Sequence, residues 1–130
     1  MKTNYKLTLA ALAGVSFGVA GVTAIHARQA KVPPAYIISE VDELQDLPNL
    51  QKYGGKVEET LATFNHHFIV RGGKTQSLEG EPPKGFVVLA FDSAEKAREW
   101  YDSPAYQAIK TLRQSSTKGR FFIIEGVVPQ

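Results

Sequence analysis

The chain has 130 residues, enough for one compact domain of about 100 residues beyond any leader and too few for two. Lys2 and Lys6 precede an apolar leader, and the rest of the chain carries thirteen positive and thirteen negative side chains, which leaves no argument for nucleic-acid binding. Cysteine is absent, and this excludes disulfides, thiol nucleophiles, thiolate metal sites and iron–sulfur clusters.

The N-terminal segment has the profile of an export signal. Two lysines are followed by nineteen uncharged residues, 7–25, and small residues gather up to Ala27. The pattern favours a cleaved signal peptide over residues 1–27 and a periplasmic or secreted protein. The alternative is an uncleaved inner-membrane anchor facing the periplasm, because about 20 apolar residues span a bilayer. Residues 28–34 end in Pro33-Pro34 and are predicted to be an extended linker.

The first half of the predicted domain, which covers residues 35–128, alternates strand, helix and strand. Residues 36–41 are rich in β-branched and aromatic side chains, which favour a strand. Asp46 is the expected N-cap of a helix whose apolar residues recur at three- and four-residue steps as far as Phe64. Gly54-Gly55 predict a bend or break in that helix. Residues 67–71 form the second predicted strand.

The second half of the domain is also predicted to alternate strands and helices. A polar stretch, 74–85, leads to a strand at 86–91, and the two strands are predicted to form a hairpin with a long loop. Asp92 and Glu95 predict a capping box for the next helix, and Ser103-Pro104 predict the start of another over 105–114. Gly119 is expected to end the connection before a last strand at 121–125.

This βαββαβ order predicts an α+β, ferredoxin-like fold with a four-stranded antiparallel sheet and its helices on one face. Residues 87–89 and 121–124 are apolar at consecutive positions, whereas a sheet with one face in water should alternate. Both faces of the sheet are therefore expected to be buried. A second copy packed sheet against sheet supplies this burial, and we expect a homodimer in the form of a dimeric α/β barrel.

Few side chains are candidates for catalysis or ligand binding. Arg71 and Glu79 flank the long loop, where they are expected to pair with each other or, less commonly, to hold a small polar ligand. Four aromatic residues could line a pocket between helices and sheet, with their phenolic groups orienting a ligand, although core packing is the commoner role: Tyr53, Trp100, Tyr101 and Tyr106. His66 and His67 are strand neighbours and point to opposite faces, so no metal site is predicted. No cofactor is predicted either.

Many residues in chain order match a known family: Tyr36, Glu40, Tyr53, Arg71-Gly72-Gly73, Leu78-Glu79-Gly80, Phe91, Ala97, Trp100-Tyr101, Ser103-Pro104-Ala105-Tyr106, Arg113 and Glu125-Gly126. On these residues, 35–127 resemble the domain of unknown function 1330 family, and the leader is similar to that of exported members. These are small proteins similar to dimeric α/β-barrel proteins such as the antibiotic-biosynthesis monooxygenases. The resemblance implies a ferredoxin-like fold and a homodimer, and it implies no reaction.

Three functions remain open at this point. The favoured one is binding of a small organic molecule in a cleft between helices and sheet. A second is a cofactor-independent enzyme, similar to the barrel monooxygenases or isomerases, with His67 or Glu40 as its base. A third is a structural or interaction module tethered to the membrane through an uncleaved leader.

Overall fold

A computed structural model describes residues 32–130, so the predicted signal peptide at 1–27 and most of the linker lie outside the described residues. Residues 33–127 form one compact unit. Its elements in chain order are β1 (Ala35–Leu44), α1 (Leu47–Leu61), β2 (His66–Arg71), β3 (Gly85–Phe91), α2 (Ala94–Asp102), α3 (Pro104–Gln114) and β4 (Thr117–Glu125). Among the residues described, no helix is long and apolar enough to cross a membrane.

The four strands form one antiparallel sheet in the order β2-β3-β1-β4. Ile37 at the centre of β1 lies opposite Leu89 of β3 on one side and Ile123 of β4 on the other. β2 and β3 pair as the predicted hairpin. The α+β, ferredoxin-like fold is therefore confirmed.

The helix starts follow their capping residues. Asp46 accepts a hydrogen bond from the backbone nitrogen of Asn49 at 3.0 Å, as predicted. Ser93 caps α2, so the prediction that Asp92 would do so is wrong by one residue. Ser103 caps α3. Of the bend or break predicted at Gly54-Gly55, the break is wrong, because α1 is continuous through both glycines.

The last strand begins earlier than predicted. β4 starts at Thr117, which pairs with Leu44 at the far end of β1, so Gly119 lies inside the strand. A Cβ at Gly119 would collide with the carbonyl oxygen of Glu40. This glycine therefore permits a close approach of two strands and does not end the connection.

The two faces of the sheet have different neighbours. On the helix face, Ile37, Leu89 and Phe91 form the core with apolar residues from all three described helices: Val57, Leu61, Ala97, Trp100, Tyr106 and Ile109. Alternation along the strands sends a second apolar set to the opposite, open face: Tyr36, Ile38, Val88, Phe122 and Ile124. Phe122 is 40% exposed and Ile124 is 51% exposed. The described helices leave this face uncovered.

Candidate functional site

A cavity of about 300 Å³ lies between α1 and the helix face of the sheet. Residues of all four strands form its floor, on the side of the sheet, and α1 forms one wall. The residues around it are Ile37, Ser39, Val41, Leu50, Tyr53, Gly54, Val57, Phe68, Arg71, Gly72, Gly85, Phe86, Val87, Leu89, Trp100, Arg113, Thr117 and Phe121. The lining is mainly apolar and contains no carboxylate, so it suits an apolar molecule that has a small number of polar groups.

Small residues keep this space open. Gly54 lies in the wall formed by α1, and a Cβ at this position would meet no atom within 4 Å. Ser39 and Gly85 contribute short side chains or none where larger ones would fill the floor. Trp100, only 1% exposed, borders the cavity from α2 and donates from Nε1 to Thr60 Oγ1 at 2.9 Å.

A polar network joins two helices beside the cavity. The hydroxyl oxygens of Tyr53 and Tyr106 lie 3.0 Å apart, which links α1 to α3. Arg113 Nε donates to the same Tyr106 hydroxyl at 3.0 Å. Tyr106 and Arg113 are seven residues apart, so two helical turns place them on the same side of α3. Tyr53 and Arg113 line the cavity, whereas Tyr106 is fully buried behind them.

Burial determines the protonation of both phenols. It raises the pKa of Tyr53 far above its usual value, and this effect outweighs the nearby Arg113 charge, which lowers the pKa. Burial raises the pKa of Tyr106 as well, against the lowering effects of its hydrogen bonds and of Arg113. Both hydroxyls are therefore neutral and carry their hydrogens at physiological pH.

Arg113 brings a positive charge to the cavity wall. Its guanidinium carbon lies 3.9 Å from the centre of the Phe121 ring, and the side chain is half-buried. Within residues 32–130 it makes no ion pair with a carboxylate. A guanidinium held by an aromatic ring and a neutral phenol keeps its full charge available to a ligand.

Arg71, the arginine singled out from the sequence, also lines the cavity, but its charge is engaged. Its Nη1 lies 2.5 Å from Glu58 Oε1 of α1, and its guanidinium carbon lies 4.2 Å from the centre of the Phe68 ring. The expected pairing of Arg71 with Glu79 is wrong, because Arg71 points to the helix face while Glu79 lies in the exposed loop after β2.

The structure separates the other candidate ligand-binding residues. Trp100 lines the cavity, Tyr106 supports it from behind, and Tyr101 is half-buried against Tyr106 and Phe121 outside the lining. Glu79 is exposed and away from the lining.

The two candidate bases lie on the open face. His67, opposite Ala90, is exposed, and Glu40 accepts from Arg120 Nε at 2.7 Å. Neither lines the cavity. In the described part of the chain, no group of three or more acidic or histidine side chains could hold a metal ion.

Arg113 and the Tyr53–Tyr106 pair were not identified as a unit from the sequence. One signal was present, the seven-residue spacing of Tyr106 and Arg113 on a single helix. The link to Tyr53 crosses 53 residues of chain and depends on the packing of α1 against α3, which no local pattern reveals.

Solved structures share this fold at low sequence identity. A protein of unknown function from Rhodopseudomonas palustris matches with a TM-score of 0.60 and 15% identity, over 82% of this chain and 94% of that one. Its methylated form gives 0.62 and 14%, over 82% and 92%. A dimeric ferredoxin-like protein of unknown function from Thermobifida fusca gives 0.50 and 14%, over 74% and 92%. No curated protein matches the chain. The family model described as domain of unknown function (DUF1330) matches residues 34–127, and the chain belongs to that family.

Proposed function

We propose that this protein is an exported homodimer that binds a small, largely apolar organic molecule in the cavity between α1 and the sheet. The observation that carries the binding proposal is the cavity itself. Its volume of about 300 Å³ lies at the lower end of the range of small-molecule sites, roughly 300–1,000 Å³. Its lining combines apolar side chains with a few polar groups, which is the usual composition of such sites.

The candidate bases are poorly placed for the catalytic alternative. A general base has to reach the proton that it removes, within hydrogen-bond distance or through one water. His67 and Glu40 lie on the open face and are absent from the cavity lining. The phenols beside the cavity keep their hydrogens because burial raises the pKa of each, so neither is present as a phenolate that could remove a proton.

Filling the cavity from its glycine wall tests the binding proposal. In Gly54→Leu the new side chain enters empty space beside the cavity, whereas in Gly55→Leu it extends from an exposed position of the same helix. Both changes favour the helix by up to about 1 kcal/mol, so the pair is matched for the intrinsic effect. The probe is 2-naphthol, a neutral two-ring aromatic molecule, and the measurement is the thermal midpoint of unfolding with and without it.

At ten times its dissociation constant, 2-naphthol stabilises the folded protein by about 1.4 kcal/mol, a rise of several degrees. We expect this rise in the natural chain and in Gly55→Leu, and its loss in Gly54→Leu. A rise that persists in Gly54→Leu places the bound molecule elsewhere. The absence of any rise in the natural chain, with 2-naphthol at its solubility limit, contradicts the proposed function.

Two observations support the homodimer. The open face exposes Phe122 and Ile124 beside half-buried Ile38 and Val88, so a monomer would leave a continuous apolar surface in water. The Thermobifida fusca protein, which shares the fold, is described as dimeric. In a two-fold dimer the same patch meets its own copy, which is how one sheet face can cover another.

A charge on the open face tests the homodimer. Ile124 and Leu47 are almost equally exposed, at 51% and 50%, but Leu47 lies at the start of α1, on the opposite side of the sheet. We expect native mass spectrometry to show a dimer for the natural chain and for Leu47→Asp, and a monomer for Ile124→Asp. A dimer of Ile124→Asp with unchanged dissociation would place the interface elsewhere.

Export rests on residues 1–27, which lie outside the described residues. The support is the pattern of Lys2 and Lys6 followed by nineteen uncharged residues. We expect the intact mass of the protein from its native cell to lack residues 1–27 and the protein to be in the periplasmic or secreted fraction. A full-length mass in the membrane fraction would favour the anchor and the tethered module.

A further inference from the structure

We propose that the ligand of the cavity is an organic anion, an apolar body carrying a carboxylate or a similar oxyanion, with the charged group held between Arg113 and the hydroxyl of Tyr53. This inference rests on the proposed function, since it names the chemical class of the molecule that the cavity binds. Three features of the described residues lead to it.

The first feature is the charge of the cavity wall. Two arginines line it, and no aspartate or glutamate does. Arg71 is compensated by Glu58 at 2.5 Å, whereas Arg113 has no carboxylate partner in residues 32–130. A half-buried guanidinium is less hydrated than an exposed one, so a ligand anion in this position replaces little water and gains a strong hydrogen bond.

The second feature is the direction of the hydrogen bonds in the network. Tyr106 Oη accepts from Arg113 Nε and lies 3.0 Å from Tyr53 Oη. Tyr106 is fully buried, and in the described structure Tyr53 Oη is the acceptor available for its single hydrogen. The Tyr106 hydroxyl therefore donates to Tyr53, and the hydrogen of Tyr53 is left for another partner on the cavity side.

The third feature is convergence. Arg113 and Tyr53 both line the cavity, and the guanidinium is close enough to the phenol to lower its pKa. Two donors thus meet at one part of a mainly apolar wall. Two converging donors, one of them charged, favour an oxyanion over a neutral amide or alcohol, because a hydrogen bond between a guanidinium and a charged oxygen is the stronger kind.

The natural protein tests this without any substitution. 2-Naphthoate and 2-naphthamide share one ring system and nearly one shape, and they differ in the charge of the polar group. We expect 2-naphthoate to bind about 10- to 100-fold more tightly in calorimetric titrations at pH 7, because hydrogen bonds to charged groups are the stronger kind. Equal affinities would overturn the anion inference and leave the proposed function standing. If neither these compounds nor 2-naphthol binds, the proposed function itself fails.

Variants then assign the preference to Arg113. We expect Arg113→Met to abolish the preference for 2-naphthoate over 2-naphthamide and Arg113→Lys to retain part of it, because lysine keeps the charge and loses the planar fork. Arg98→Met is the control, since Arg98 is exposed, pairs with Asp102 at 2.9 Å and lies outside the cavity lining. A full preference in folded Arg113→Met would overturn the assignment.

A further variant keeps the assignment testable if Arg113→Met does not fold. In Tyr53→Phe the ring stays in place and only the hydroxyl is lost. We expect a weaker affinity for 2-naphthoate, by about 3- to 10-fold, and a smaller loss for 2-naphthamide, because a hydrogen bond to a charged acceptor is stronger than one to a neutral acceptor. An unchanged ratio of the two affinities would exclude Tyr53 from the anion site.

Discussion

Phe121 and Phe122 are neighbours on β4 with the same side chain, yet they have different roles. Phe121 faces the helices, lies parallel to Tyr106 with ring centres 6.2 Å apart, and lines the cavity beneath Arg113. Phe122 faces the other way and is 40% exposed. The direction in which the strand pleat points a side chain, and not its residue type, therefore decides whether it packs in the core of the monomer or lies on the exposed face that is proposed to form the dimer.

Polar groups on the two faces of the sheet also differ in their hydrogen-bond and ion-pair partners. On the helix face, polar atoms are satisfied inside the domain: Trp100 donates to Thr60, and no buried side-chain nitrogen or oxygen of the described residues lacks a partner. On the open face, charges pair in water at one end of the sheet, where Arg120 contacts Glu40 and Asp42. Exposed pairs of this kind contribute little stability and set orientation more than affinity.

Removing the ring of Phe121 is expected to cost the most stability, and Phe122 is its control on the open face. We expect Phe121→Ala to lower the free energy of unfolding by about 3 kcal/mol, the lower end of the core range because Phe121 is half-buried. Phe122→Ala should cost less than about 1 kcal/mol in dilute protein and more as the concentration rises, because it acts through association. Urea unfolding over a range of protein concentrations measures both. Equal costs in dilute protein would contradict the assignment of the faces.

A smaller effect is expected from the polar partner within the core. Thr60→Val leaves the buried Nε1 of Trp100 without its acceptor, and we expect a loss of about 1–3 kcal/mol in the free energy of unfolding. Thr111→Val is the matched control on the exposed surface of α3, with an expected change within about 0.5 kcal/mol. Similar losses in both variants would show that the hydrogen bond is not the cause.

The smallest effect is expected from the two phenols at alkaline pH. Their pKa values are raised in the folded protein, so above about pH 10 the unfolded chain loses these protons while the folded one keeps them. Stability is then fully present below that pH and falls above it, by about 1.4 kcal/mol per pH unit for Tyr53, whose pKa is raised far above this range, and in the same direction for Tyr106. Urea unfolding between pH 9 and about 11 should show a shallower fall in Tyr53→Phe than in the natural chain. An identical fall would mean that Tyr53 ionises alike in both states.

Much of the fold could be predicted from the sequence because its signals are local. Asp46 and Ser103 cap helices at the predicted positions, and the apolar runs around Val88 and Ile123 are strands. The predictions that were wrong have physical causes. Gly54-Gly55 costs helix propensity, but the apolar face of α1 packs on the core through Val57 and Leu61, and this packing outweighs the cost.

The candidate site could be predicted only in part. Trp100 and Arg71 were identified from the sequence and line the cavity, but Arg71 pairs with Glu58 rather than Glu79. The partner was missed because side-chain direction on β2 depends on the register with β3, which shifts between Phe68 and Val70. A one-residue irregularity changes the face to which every later side chain on a strand points.

The order of the elements, the ferredoxin-like fold and the excess of apolar residues on two strands follow from local sequence patterns, because capping, periodicity and composition act over a few residues. The cavity between α1 and the sheet beside Gly54 depends on tertiary packing, and so does the position of Arg113, which lines it without a carboxylate partner in the described residues. Tyr53 and Tyr106 meet across 53 residues of chain. Such contacts arise from the packing of whole elements, which local patterns do not specify.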